Sequence, residues 1–228
     1  MLFRGIGVDR RLKRCKYIVY IMNTTNEHKP LSEADLKRAL EALAFRLEEN
    51  DTGPYGLVVC GGSALILTGA IPRTTKDVDV DVVAMMEDEQ LKTPQPMQEE
   101  LLVAVREVAA DEKLMEDWLN NGPSKDPQMG LFQEGLPEGF KDRLSRQDFG
   151  ERLTVYFIGR TDQVFFKVYA ATDRGGYHVE DLRALNPTTE ELVAAVNWAR
   201  THDTSDGFLM MVRSMLQQIG YPDAAERL

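Results

Sequence analysis

The sequence predicts an α/β (α+β) fold, with a small mixed β-sheet flanked by helices and followed by a C-terminal helical region. Three observations carry that prediction. Apolar residues recur at helical spacing behind two capping-box matches, Ser32-x-x-Asp35 and Thr188-x-x-Glu191. Two segments, at 55–86 and 153–159, are rich in β-branched and other apolar residues and read as strands around a turn. From residue 188 onward the periodicity is helical.

Taken in order, Ser32 caps a helix whose apolar stripe is Leu36, Ala39, Leu40, Leu43, Ala44 and Leu47, ending near Asn50 and Gly53. An apolar run, Leu57-Val58-Val59-Cys60, ends in the small-residue turn Gly61-Gly62-Ser63, and a short apolar helix follows over 64–67. A strand then alternates Asp77, Asp79 and Asp81 with Val78, Val80 and Val82. Residues 87–96 are acidic and proline-bearing and read as a loop, while 98–110 and 111–120 read as helices. Residues 121–140 hold Gly122, Pro123, Pro127, Gly130, Gly135, Pro137 and Gly139, a density that breaks regular structure. Met129, Leu131 and Phe132 give that segment apolar anchors for packing back over the body, as a lid, a specificity loop or a plain insertion.

Leu153 to Gly159 reads as a strand, and Asp162 is placed as the N-cap of a helix over 163–171. Thr188 caps a helix reaching His202, with Trp198 on its packing face. A last helix over 208–219 sends Met210, Met211 and Met215 to the core, and Tyr221-Pro222 ends the pattern.

The chemistry concentrates at 60–82. On a strand, Asp77, Asp79 and Asp81 share one face and the valines the other. Like charges stacked on one face are unfavourable unless a cation sits there, and a hard divalent ion such as Mg²⁺ prefers such oxygen donors. The preceding Gly61-Gly62-Ser63 offers backbone N–H groups and a hydroxyl at the start of a helix, where an anion is favoured. A phosphate cradle beside paired carboxylates is the equipment of phosphoryl or nucleotidyl transfer. Taken singly, the glycine-serine turn is a common turn and the aspartates a solvated strand face. Lys167 stands among Val164, Phe165, Phe166, Val168 and Tyr169, so it either snorkels to water or points at an anion. Asp181 has Arg174 and Arg183 close in sequence as pairing partners, and His178 reads as a surface histidine.

Gly62-Ser63, thirteen intervening residues and then Asp77-Val78-Asp79 resemble the signature of the polymerase-beta-like nucleotidyltransferase superfamily. The fuller run, Gly61-Gly62-Ser63-Ala64-Leu65 with Gly69, Arg73, Thr75, Asp77 and Asp79, resembles the minimal bacterial branch related to abortive-infection toxins. The downstream block from Arg174 to Leu182 resembles the same families. The resemblance implies a nucleotidyltransferase-like domain over 31–187, with the helical region 188–228 packed on it. It implies that Asp77 and Asp79 hold Mg²⁺ or Mn²⁺, that Gly62 and Ser63 grip the triphosphate of an NTP, and that Arg73 and Thr75 belong to the same nucleotide site. Lys167 would contact phosphate and Asp181 would serve as supporting acid or base, with Arg174 as a further phosphate contact. It also implies a hydroxyl acceptor (a tRNA end, a protein or a small molecule) and, for a toxin, a cognate antitoxin protein. One departure stands out. The superfamily carries a third carboxylate on a later strand, and 153–159 contains neither Asp nor Glu, leaving Asp81 and Asp181 as substitutes. That departure favours an alternative on the same fold, a non-catalytic nucleotide-binding or protein-interaction module.

Composition narrows the partners. The chain of 228 residues carries a net charge of −10. Residues 1–21 hold six basic side chains against Asp9, a net +5, so the remaining 207 carry −15. So acidic a body argues against broad nucleic-acid binding, although one nucleotide or a tRNA end needs only a local basic pocket. Two cysteines, Cys15 and Cys60, imply no disulfide framework, and no apolar run approaches membrane-spanning length. The expectation is a cytoplasmic protein. Residues 1–30 are expected to be a poorly packed extension, with Met22 as the natural start.

Overall fold

A computed structural model describes residues 32–69 and 80–228. The expectations for residues 1–30, and for Arg73, Thr75, Asp77 and Asp79, lie outside the described residues.

The first helix, α1 (Glu33–Glu49), forms where the capping box predicts it. The Ser32 hydroxyl accepts from the Asp35 N–H, and the Asp35 carboxylate accepts from the Ser32 N–H. Its whole apolar stripe is buried. The strand β1 (Tyr55–Cys60) leads into α2 (Gly61–Leu67) and, after the undescribed segment, into β2 (Val80–Glu87). Gly61 and Gly62 already lie in α2, so the expected free-standing turn is narrower than predicted. Gly61 alone makes it, at φ +76°, a backbone state open to glycine.

Among the described residues the sheet runs β3 (Gln90–Lys92), β2, β1, β6 (Leu153–Phe157) and β5 (Ser145–Asp148), with a short β4 (Leu119–Asn120) beside β2. β1 pairs antiparallel to β2 and parallel to β6 (Leu153–Phe157), which gives the mixed sheet that the sequence predicts. The antiparallel edge strands are β3 (Gln90–Lys92) and β5 (Ser145–Asp148). Two sequence expectations are corrected here. Residues 87–96 are not all loop, because β2 and β3 form a hairpin whose turn residues Asp88 and Glu89 have φ of 48° and 59°. Residues 113–120 are not helix. The helix α3 (Glu99–Glu112) ends at Lys113, and Leu119 and Asn120 pair with Val80 and Asp81 as β4.

One sheet face is covered by α1 and α3, with Trp118 buried among them and donating its indole N–H to the Val105 carbonyl at 3.0 Å. The other face, carrying Val58, Cys60, Val83 and Ala84, packs under Phe140, Ile158 and Phe166. The 121–140 segment does pack back over the body. It contains the short α4 (Leu131–Glu134), and Ser124 donates to the Val83 carbonyl at 2.8 Å.

The helix α5 (Arg160–Arg174) connects the sheet to the rest of the chain. Its N-cap is Gly159 rather than Asp162. Asp162 sits inside the first turn with no side-chain exposure, and Arg143 grips both its oxygens at 2.9 and 2.7 Å. Burial pushes the Asp162 carboxyl above its ordinary value, and the guanidinium opposes that shift. The helices α6 (Tyr177–Leu185), α7 (Thr189–His202), α8 (Asp206–Gln218) and α9 (Pro222–Glu226) follow. They share an apolar cluster with α5 and with Leu65 of α2. The capping box at Thr188 and Glu191 forms, and Arg160 pairs with the same glutamate. Met215 is buried as predicted, whereas Met210 and Met211 are 70% and 51% exposed. The buried face of α8 is Phe208, Val212, Met215 and Leu216, and 210 and 211 fall outside that stripe.

Candidate functional site

A cavity of about 830 Å³ opens where the C-terminal end of β1 meets α5, α6 and the 121–140 segment. Cys60, Gly61, Gly62 and Asp81 line it from the sheet, and Lys167, Arg174 and His178 from the helices. Residues more than 100 positions apart in sequence therefore share one concave site, as a ligand pocket requires.

Asp81 occupies the sheet side. Its carboxylate lies so close to Gly61 that a Cβ there would fall 2.6 Å from Oδ2. The absence of a side chain at 61 thus admits the carboxylate beside the start of α2. Gly62 lines the cavity through its backbone. Ser63 does not. It is 1% exposed, and its hydroxyl donates back to the Cys60 carbonyl at 3.4 Å. The Cys60 thiol is held well above its ordinary pKa, first by burial and then by the negative charge of Asp81.

Lys167 does not snorkel. Its side chain is 4% exposed, and its ammonium lies 2.8 Å from Asp181, itself 1% exposed. The sequence named Arg174 and Arg183 as candidate partners for Asp181, but among the described residues its ion pair is with Lys167, brought over as α6 folds back on α5. His178 is buried rather than on the surface, and its ring lies tilted at 41° against that of Tyr177 with centroids 4.0 Å apart. Among the described residues no group of three or more His, Cys, Asp or Glu could hold a metal ion. Asp77 and Asp79, at alternate positions before Asp81 in the sequence, lie outside the described residues.

The sequence did not single out Asn120 or Asp126 of the cavity wall, whereas Gly122 and Met129 belong to the segment it read as a lid, a specificity loop or a plain insertion. Two signals pointed there. The length of 121–140 pointed to the wall, and the glycine pair 175–176 before Tyr177 marked a turn at the rim.

The site thus joins a glycine turn at the tip of β1, Asp81 on the neighbouring strand, and Lys167 and Arg174 on the helix over the opening. The model of the family described as nucleotidyltransferases of unknown function (DUF6036) matches residues 35–203, and the chain belongs to that family. No curated protein and no solved structure matches the chain. Among the described residues no helix is long and apolar enough to cross a membrane.

Proposed function

We propose that the protein is a Mg²⁺-dependent nucleotidyltransferase of the polymerase-beta-like superfamily that moves an NMP from an NTP to a hydroxyl acceptor. The observation that carries this reading is the convergence of Gly62, Asp81, Lys167 and Arg174 on one cavity within a nucleotidyltransferase family. In the reaction an acceptor oxygen bonds to the α-phosphorus, the bond to the β-phosphate breaks, and pyrophosphate leaves while the acceptor loses its proton.

The oxygen-donor chemistry of the site suits a hard cation, since Asp81 lines the cavity. Asp77 and Asp79 would hold Mg²⁺ or Mn²⁺, with Asp81 beside them. The ion, when bound, neutralises charge on the transferring phosphoryl group. The backbone at Gly62 receives phosphate, and Ser63 acts by fixing the turn from within, its hydroxyl spent on Cys60. Arg73, Thr75, Lys167 and Arg174 complete the anion site. Asp181 holds the ammonium of Lys167 in place and so acts through it.

The unit over 31–187 performs the transfer in the cytoplasm, with 188–228 packed on it. The toxin-like resemblance supports a tRNA end or a protein as acceptor and an antitoxin as inhibitor. A second reading, nucleotide binding without transfer, is favoured by one observation: β6 carries no carboxylate. Pyrophosphate release decides between them. Incubation with each NTP, Mg²⁺ and total tRNA, protein or small-molecule extract is expected to liberate pyrophosphate and label one acceptor fraction. NTP binding without pyrophosphate from any fraction would favour the second reading.

A further inference from the structure

We propose that Trp198 of α7 is a positioning residue that holds the 121–140 wall of the cavity against α5 and so sets the grip on nucleotide. The inference rests on the nucleotide reading just given. Trp198 acts through the groups that line the cavity rather than on the ligand.

Trp198 packs where the apolar cluster of α5 to α9 meets the cluster on the sheet face, and it touches both. Its ring lies 5.4 Å from that of Phe166 at 24°, and 6.3 Å from that of Tyr169 at 75°. Both of those rings line the cavity, and Phe166 directly precedes Lys167. Phe166 also stacks on Phe140, at the end of the 121–140 segment, with centroids 6.1 Å apart.

The polar end of the tryptophan reaches the same segment. A half-buried indole usually finds an acceptor for its N–H, and here the Gly135 carbonyl accepts it at 3.3 Å. Gly135 has φ +111°, a state that favours glycine, although a Cβ there would meet nothing within 4 Å. The backbone, not the space, requires glycine at that point.

From Gly135 the wall runs back to the cavity through its own hydrogen bonds. The N–H groups of Gln133 and Glu134 donate to the Gly130 carbonyl at 2.9 and 3.1 Å, and the Gly130 N–H donates to the Asp126 carbonyl at 3.0 Å. Asp126, Met129, Gly130 and Leu131 line the cavity. The segment is thus tied to the sheet at Ser124 and to α7 at Gly135, and these wall residues lie between the two ties. Loosening the second tie frees the wall while leaving Gly62, Lys167 and Arg174 in place for phosphate.

The test titrates each NTP, and separately inorganic tripolyphosphate, with Mg²⁺ into the full chain and into Trp198→Phe, Gly135→Ala and the double variant. Hydrogen exchange of the backbone across 125–135 is followed in the same proteins. Trp198→Phe keeps a ring against Phe166 and removes the N–H donor. Gly135→Ala strains the backbone of the acceptor and leaves α7 untouched. Each is expected to speed exchange across 125–135 and to weaken NTP about three- to tenfold, the factor one hydrogen bond carries, with tripolyphosphate within about twofold of the parent. The two effects should not add, because both break one link.

A tryptophan that only fills the core predicts parent-like NTP affinity in folded Trp198→Phe, and that result would overturn the proposal. Unchanged exchange across 125–135, an equal loss of tripolyphosphate, or fully additive effects would overturn it too. A parent that binds tripolyphosphate as tightly as any NTP would also overturn it and leave the phosphate site standing. Binding of neither would overturn the nucleotide reading, and the proposal with it.

Discussion

Lys167→Ala is expected to lower folding stability by about 3–5 kcal/mol, because it strips the ammonium from a carboxylate buried in the protein. Lys167 and Asp181 are 4% and 1% exposed in their side chains, so the pair is largely withdrawn from water. Removing both charges should reverse most of the damage. A buried ion pair replaced by apolar groups of similar volume is often neutral or stabilising, so Lys167→Met with Asp181→Leu is expected to melt near the parent. The double variant separates structure from function. If Lys167 meets phosphate, the refolded variant still fails to bind NTP, since the anion site has lost a cation that packing does not replace. Chemical denaturation gives the stability, and titration with NTP gives the function. Parent-like NTP affinity in the stable double variant would reduce Lys167 to a structural residue.

Arg143→Ala carries the second large effect. Arg143 binds both oxygens of Asp162, which has no exposed side-chain surface. Because Arg143 keeps 32% of its side chain in water, the cost is placed at the low end of the range for a broken buried pair, about 3 kcal/mol. For a domain of this size that corresponds to a fall in Tm of about 6–12 °C. The pH dependence has a definite sign. Burial raises the carboxyl of Asp162 above its unfolded value, so the folded state holds its proton longer than the unfolded chain does. Its contribution is then most favourable in acid and is lost as pH rises through the folded-state pKa. Without the guanidinium the pKa rises further, so the deficit of Arg143→Ala should be smaller near pH 4 than at pH 7. Thermal melts of parent and variant at both pH values check this, and an equal deficit would mean that Asp162 does not carry the charge assigned to it.

Local signals were legible in the sequence and non-local ones were not. Ser32 with Asp35 and Thr188 with Glu191 gave both capped helices, because each box is completed within four residues. The β1–α2–β2 core was legible for the same reason: its apolar run, glycines and alternating aspartates are contiguous. Asp162 resembled an N-cap because its partner Arg143 lies 19 residues upstream, across β5 and β6. Leu119 and Asn120 looked like the end of a helix, and their pairing with Val80 and Asp81 depends on a return of nearly 40 residues. The Asp88–Glu89 turn lacked the asparagine or glycine that signals such hairpins.

In the site, Gly62, Asp81 and Lys167 line one cavity. The inward turn of the Ser63 hydroxyl was not legible, since its acceptor is a backbone carbonyl. Nor was the place of Asn120 in the wall, which β4 brings beside Asp81.

The most direct test of nucleotidyl transfer at this site is calorimetric titration of each NTP into the protein with Mg²⁺ and with chelator, alongside Asp77→Ala/Asp79→Ala. Metal-dependent binding that the double variant loses is the predicted result. NTP binding that persists in chelator and in the variant would contradict the assignment of the metal and nucleotide to these aspartates.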